Sequence, residues 1–242
     1  MAPLSFGIRA LSYIYRLSQK LITLDITHLM ILKSESLRTL PQLRNDANLS
    51  VLTPSQVRQF AADPSNELDA ALARRIEIGN DMCVAAYCGD RMAAYAWYAQ
   101  GSIEASYNQG RTVHSGTAIS FPSHMSFLYK AFTHPDFRGQ GLYKHVNKYA
   151  LEQLNHEGID TILATTDWSN LPALKSCYGL GFQHLGNIWR MGFPGLVSGV
   201  YPNTAKKMQI RFGSKASTLQ RKNVRKEQDA SNHHAQVVIR QL

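Results

Sequence analysis

His134 to Val146 reads HPDFRGQGLYKHV, and the residues on either side of it decide the fold. Before it, MSFLYKAFT (residues 125–133) is an apolar run of strand length. After it, LYKHVNKYALEQLNHEG has helical spacing and stops at Gly158. IDTILATT then reads as a second strand, so Met125 to Thr166 is a β–α–β unit. The quoted segment is its strand-to-helix loop. Such a loop makes an anion site, because the first N–H groups of a helix have no intrahelical partner and the helix dipole adds positive potential. Glycine at 139 and 141 removes Cβ atoms that would hold a phosphate off the backbone. Arg138 adds a charge with a fork geometry suited to phosphate. The two glycines alone also fit a plain turn. There is no G-x-x-x-x-G-K-[ST], and Lys144 breaks G-x-G-x-x-G, which removes the common nucleotide loops.

Downstream, NLPALKSCYGLGF predicts a short helix with a glycine break, and FQHLGNIWRMGF a last strand or hairpin. Upstream, two apolar runs flank Gly89-Asp90 in DMCVAAYCGDRMAAYAWYAQ, the pattern of a β-hairpin. TPSQVRQFAAD predicts a helix capped by Thr53 with Pro54 first, and PSNELDAALARRIEIG one capped by Asn66 or Ser65 and stopped by Gly79. ITHLMILKSESL reads as the first strand, and RTVHSGTAI as one more inside a Gly-, Ser- and Asn-rich stretch. Residues 4–24 carry Leu4, Ile8, Leu11, Ile14, Tyr15, Leu21 and Ile22 at helical spacing, with Arg9, Arg16 and Lys20 opposite. The order of elements predicts an α/β or α+β domain, a sheet with helices on its faces.

Of the 242 residues, 44% are apolar, ordinary for a globular chain. No run reaches the roughly 18 uncharged apolar residues of a membrane span. Three cysteines (Cys83, Cys88 and Cys177) with no C-x-x-C pair argue against a disulfide framework or zinc site and fit a cytoplasmic location. From 206 to the end there are nine basic and two acidic residues, a net +7, which leaves +2 for the first 205. The chain divides by this reading into an amphipathic helix (1–24), a folded domain (25–205) and a basic, flexible tail (206–242). The tail reads as a solubilising appendage or as a contact for nucleic acid, ribosome or an anionic membrane, the last placing the protein at the periphery of the inner membrane.

FLYKAFTHPDFRGQGLYKHV resembles the acyl-CoA-binding motif of the GNAT acyltransferase superfamily, here Arg138-Gly139-Gln140-Gly141-Leu142-Tyr143. Asn170, 11 residues before Gly181-Phe182, matches the family's second segment. The resemblance runs clearly from Met125 to Phe193 and extends back to Ile26. It implies a mixed, mostly antiparallel central sheet with helices on both faces. It implies that the amides of Arg138 to Tyr143 hold the pyrophosphate of coenzyme A. By the same resemblance, backbone groups of Phe132 and Thr133 pair with the pantetheine arm, and Asn170 hydrogen-bonds the cofactor where two strands splay. Two positions depart from the pattern. Tyr143 replaces the loop's last Gly/Ala. Cys177 stands where many relatives place the tyrosine that protonates the leaving thiolate, with Tyr178 beside it.

The expectation is an acyl-CoA-dependent N-acyltransferase using acetyl-CoA or another acyl-CoA and no metal. It would act by direct transfer to the primary amine of a small molecule, an amino sugar being one option. Tyr178 and Cys177 are the candidate acids, Cys177 also a candidate nucleophile, and Glu104, His114 and His124 candidate bases. Trp97, Tyr98 and Trp168 are candidates to line a substrate groove, with the acceptor pocket drawn from residues 35–80 and 100–124. The competing reading is a non-catalytic acyl-CoA-binding regulatory module whose tail meets nucleic acid, ribosome or membrane.

Overall fold

The first strand alternates cleanly. β1 (Thr23–Lys33) sends Leu29 and Ile31 into one apolar layer and Met30 and Leu32 into the other, so it is buried on both sides. The structure, a computed structural model, describes Tyr15 and residues 23–109, 116–193 and 196–213. Apart from Tyr15, the helix expected over 4–24 lies outside the described residues as far as residue 22, and its last two residues, Thr23 and Leu24, belong to β1 instead; the greater part of the basic tail also lies outside the described residues.

After β1 come β2 (Ala47–Val51), α1 (Pro54–Ala61), α2 (Ala73–Glu77), β3 (Asp81–Cys88) and β4 (Arg91–Gln100). Two short strands follow, β5 (Ser102–Ile103) and β6 (Ile119–Ser120), and then β7 (Met125–Thr133), α3 (Leu142–His156), β8 (Thr161–Asp167) and α4 (Leu171–Leu180). The chain closes with the hairpin β9 (Gln183–Phe193) and β10 (Leu196–Val200), then α5 (Asn203–Lys207) and β11 (Arg211–Phe212). Eight strands make one sheet in the order β10-β9-β1-β8-β7-β4-β3-β2, and β11-β6-β5 make a small second sheet. Within the large sheet only β7 and β8 run parallel, as the crossover through α3 requires. This is the mixed, mostly antiparallel architecture expected.

Helices α3 and α4 cover one face. Val146, Ala150, Leu151 and Leu154 of α3 and Leu174 and Leu180 of α4 pack on Val84, Ala96 and Ile162. The opposite face is covered in two places. Val57 of α1 and Leu72 and Ala73 lie against Tyr95 and Trp97, and Ile103, Ile119 and Phe212 of the small sheet lie against Phe127 and Leu163.

Thr53 accepts from the Gln56 amide and Pro54 opens α1, as the sequence predicts. Residues 64–77 differ from expectation. Neither Asn66 nor Ser65 caps a helix there. Asp69 accepts from the Ala71 amide at the head of a single 3₁₀ turn (Ala70–Leu72), and α2 begins only at Ala73. Asn66 is instead buried, its side-chain amide on the Phe60 carbonyl at 2.9 Å. Gly179 does not interrupt α4; Gly181, at φ 118°, ends it. The packed chain also runs past the boundary drawn at 205, since Ile210 and Phe212 are buried and Gly213 N donates to Ala118 O.

One irregularity shapes the centre of the sheet. On β4, Trp97 opposes Lys130 while Tyr98 opposes Leu128, so Tyr129 is an extra residue, a β-bulge in β7. The β7–β8 ladder pairs Met125 with Thr161 through Leu128 with Ala164 and goes no further.

Candidate active site

Where that ladder stops, the two strands part and leave a cavity of about 200 Å³. Its lining includes Tyr129 and Lys130 of β7, Thr166 and Asp167 of β8, Tyr143 of α3 and Cys177 of α4. Beyond Leu128, β7 is paired on its β4 side only, at Phe132 with Tyr95 and Thr133 with Ala94. The backbone of Phe132 and Thr133 therefore borders an open edge, although the Thr133 carbonyl accepts from Arg138 Nε at 3.1 Å.

The glycine loop lies at the end of this edge. A 3₁₀ turn, Pro135–Phe137, leads into Arg138, and Gly141 caps α3. Gly139 and Gly141 sit at φ 80° and 78°, and a Cβ at either would meet nothing within 4 Å. The left-handed dihedral, rather than crowding by the protein, requires glycine here. No backbone acceptor among the described residues faces the amides of Gly139, Gln140, Gly141, Leu142 or Tyr143. These are the free donors that an anion needs. Arg44, from the segment after β1, brings a second guanidinium to the loop by donating to Gln140 Oε1, and it also pairs with Asp46 at 2.6 Å. Arg91 pairs with Asp136 at 2.9 Å.

On α4, Asn170 caps the helix through the Ala173 amide and borders the cavity. Cys177 faces the cavity, whereas Tyr178 is 38% exposed and does not line it. The Tyr143 hydroxyl lies 3.4 Å from Cys177 Sγ. Burial pushes the Tyr143 hydroxyl well above its ordinary range and raises the Cys177 thiol as well. Among the described residues no basic group acts on that thiol, which speaks against a nucleophilic role. Tyr98 is fully buried and donates to Asn147 Oδ1 at 3.0 Å, so it belongs to the core and lines no groove; Trp97 is likewise buried. The Trp168 ring lies 5.2 Å from that of Tyr15.

Of the candidate bases, Glu104 binds Arg75 at 2.9 Å; Arg75 binds both oxygens of buried Asp81, and Tyr129 donates to Asp81 at 2.6 Å. Glu104 thus connects to the cavity through a chain of ionic hydrogen bonds. His124 precedes the opposite end of β7, its carbonyl accepting from Asp160 N. His114 lies outside the described residues. Sequence reasoning missed Asp167, which lines the cavity and whose carboxylate accepts from the Ser169 amide and hydroxyl and from the Tyr15 hydroxyl. It missed Arg44, which only the tertiary fold brings near. It noted Tyr143 solely as a departure. Among the described residues, no group of three or more His, Cys, Asp or Glu is placed to hold a metal ion.

A profile of the Acetyltransferase (GNAT) family matches residues 51–182, more than half of the chain and the segment that builds this cavity and loop. The chain belongs to the GNAT acetyltransferase family. Members of this family generally use acetyl-CoA or another acyl-CoA. No curated protein matches this GNAT chain in sequence. Among solved structures, it is similar to a GCN5-related N-acetyltransferase from Kribbella flavida (15% identity, TM-score 0.48, 76% of this chain and 64% of that one). It is also similar to a GNAT-family acetyltransferase from Colwellia psychrerythraea (16%, 0.47, 74% and 61%). A third is an aminoglycoside acetyltransferase from an uncultured soil metagenomic sample (11%, 0.43, 57% and 90%). The chain spans less than two thirds of the length of the first two.

Proposed function

We propose that this protein transfers an acyl group, acetyl in the first instance, from coenzyme A directly to the primary amine of a small molecule. The observation that carries the reading is the continuity of the loop with the cavity. Five amides that meet no backbone acceptor among the described residues, from Gly139 to Tyr143, stand at the end of a strand edge that opens into the space between β7 and β8. The loop suits a pyrophosphate, the free edge of β7 at Phe132 and Thr133 suits an extended amide-bearing arm, and the cavity receives the thioester. Arg138, Gln140, Leu142 and Asn170 border the same path. The amine attacks the thioester carbonyl and coenzyme A leaves as the thiol. Asp167 and the Glu104–Arg75–Asp81 chain are the carboxylates at hand to accept the amine's proton. An amino sugar is one acceptor class to assay first.

Calorimetry with coenzyme A tests the site. Gly141→Asp places a side chain and a negative charge where the pyrophosphate sits, and a residue with a Cβ at φ 78°; binding should be abolished. Unchanged affinity in a folded Gly141→Asp variant overturns the assignment. Thiol release from acetyl-CoA against a panel of amines then tests the activity. Coenzyme A binding with no release on any amine would favour the regulatory reading.

A further inference from the structure

We propose that Tyr143 supplies the hydroxyl that hydrogen-bonds and protonates the sulfur of coenzyme A as it leaves. The inference rests on the reading of the cavity given above. Four hydroxyl-bearing residues from three elements line that cavity: Tyr129, Tyr143, Thr165 and Thr166. Two are committed elsewhere. Tyr129 donates to buried Asp81 at 2.6 Å, and Thr165 donates to Asn108 Oδ1 at 3.0 Å. Thr166 is an aliphatic alcohol, a far weaker acid than a phenol. Tyr143 remains; its hydroxyl lies 3.4 Å from Cys177 Sγ, with the Asn147 side chain as a second neighbour. A thiol is a weak acceptor that a better one displaces.

The two departures noted in the sequence therefore meet in space. Cys177 on α4 offers a thiol, and Tyr143 on α3 brings a hydroxyl to the same spot. Tyr178 faces outward and cannot substitute. Within its own surroundings the Tyr143 ring is held by burial between α3, α4 and the sheet, and its backbone carbonyl accepts from Asn147 Nδ2 at 2.8 Å. Burial keeps the hydroxyl protonated at neutral pH, and the same low-polarity surroundings destabilise a bare thiolate beside it.

The step balances as follows. The acceptor nitrogen forms a bond to the thioester carbon, and the C–S bond breaks with its electron pair going to sulfur. The Tyr143 proton passes to that sulfur, and the new amide nitrogen gives up one proton to a carboxylate or water. The phenolate regains one from water, so an amine and a thioester become an amide and a thiol.

The test needs no acceptor. Coenzyme A and its desulfo analogue are bound to the full chain, and the ultraviolet absorbance difference between the two complexes is titrated with pH to give the pKa of the bound thiol. A hydroxyl donating to the thiolate lowers that pKa. Tyr143→Phe should raise it by about one to two units, the scale of a hydrogen bond to a charged group. Affinity for coenzyme A should be retained, and Tyr178→Phe should leave the titration in place. An identical bound-thiol pKa in wild type and Tyr143→Phe overturns the proposal, as does a shift produced by Cys177→Ala but not by Tyr143→Phe. A wild type that binds no coenzyme A removes the proposed function itself, and this inference with it.

Discussion

Two glycines two residues apart, Gly179 inside α4 and Gly181 capping it, should respond oppositely to alanine. Gly181 sits at φ 118°, and a Cβ there would lie 2.1 Å from the Ser36 carbonyl oxygen and 3.0 Å from its carbon. The obstacle is backbone, held in place by the Arg38 amide on the Leu180 carbonyl at 2.9 Å. A left-handed alanine costs about 1–2 kcal/mol, and forced overpacking about 1–3 kcal/mol. Taking about 3 kcal/mol together, a chain of this size loses about 6–12 °C in Tm. At Gly179 the dihedral is helical and the nearest atoms are Lys144 Nζ at 2.7 Å and Cε at 3.1 Å, the free end of a long side chain that can swing away. Alanine there gains up to about 1 kcal/mol of helix propensity. Thermal melts and urea midpoints of Gly181→Ala and Gly179→Ala, each beside wild type, decide the matter. Equal stability of the two variants, or a Gly179→Ala protein as damaged as Gly181→Ala, would refute the reasoning from backbone contact.

Asp81→Ala leaves the largely buried Arg75 guanidinium with only the half-exposed Glu104 and takes the acceptor from Tyr129, and should lower stability by about 3–5 kcal/mol, whereas Asp46→Ala breaks only the exposed pair with Arg44 and should leave the urea midpoint where it is. His28 is held below its ordinary pKa by burial and by the neighbouring His184, against the opposing charge of Asp167. The unfolded chain then binds more protons than the folded one below about pH 6.5, so stability is full above that pH and falls as pH drops through it. The urea midpoint of His28→Gln, followed from about pH 7 to pH 5, should fall less than that of wild type.

The readable parts of this fold were those whose signals are local. Gly89-Asp90 between two apolar runs marks a hairpin without reference to anything else, and the glycine loop names its own flanking strand and helix. Thr53-Pro54 likewise announces a helix start. Residues 64–77 are ambiguous in sequence because Ser65, Asn66 and Asp69 are all competent caps, and tertiary burial of Asn66 decides among them. The glycine break expected in NLPALKSCYGLGF falls at Gly181, while Gly179 stays helical beside Lys144, a distinction that two glycines two residues apart do not reveal in one dimension. In the candidate site the loop and Asn170 were legible as a motif. Arg44 lies 96 positions from Gln140, and Tyr143 lies 34 from Cys177. No local pattern reports such encounters.

The extra residue at Tyr129 does more than bend a strand. A β-strand is a two-beat rhythm, and one added beat inverts every side chain after it. Before the bulge, Met125 and Phe127 face the layer of α1, α2 and the small sheet; after it, Phe132 faces that same layer although it is odd-numbered steps away. The half-period slip also takes β7 out of step with its parallel neighbour just where their ladder ends at Leu128. The opening in the sheet is therefore written as a count. Deleting Tyr129 would bring the two strands back into phase and zip the seam shut, while every other residue around the cavity kept its identity.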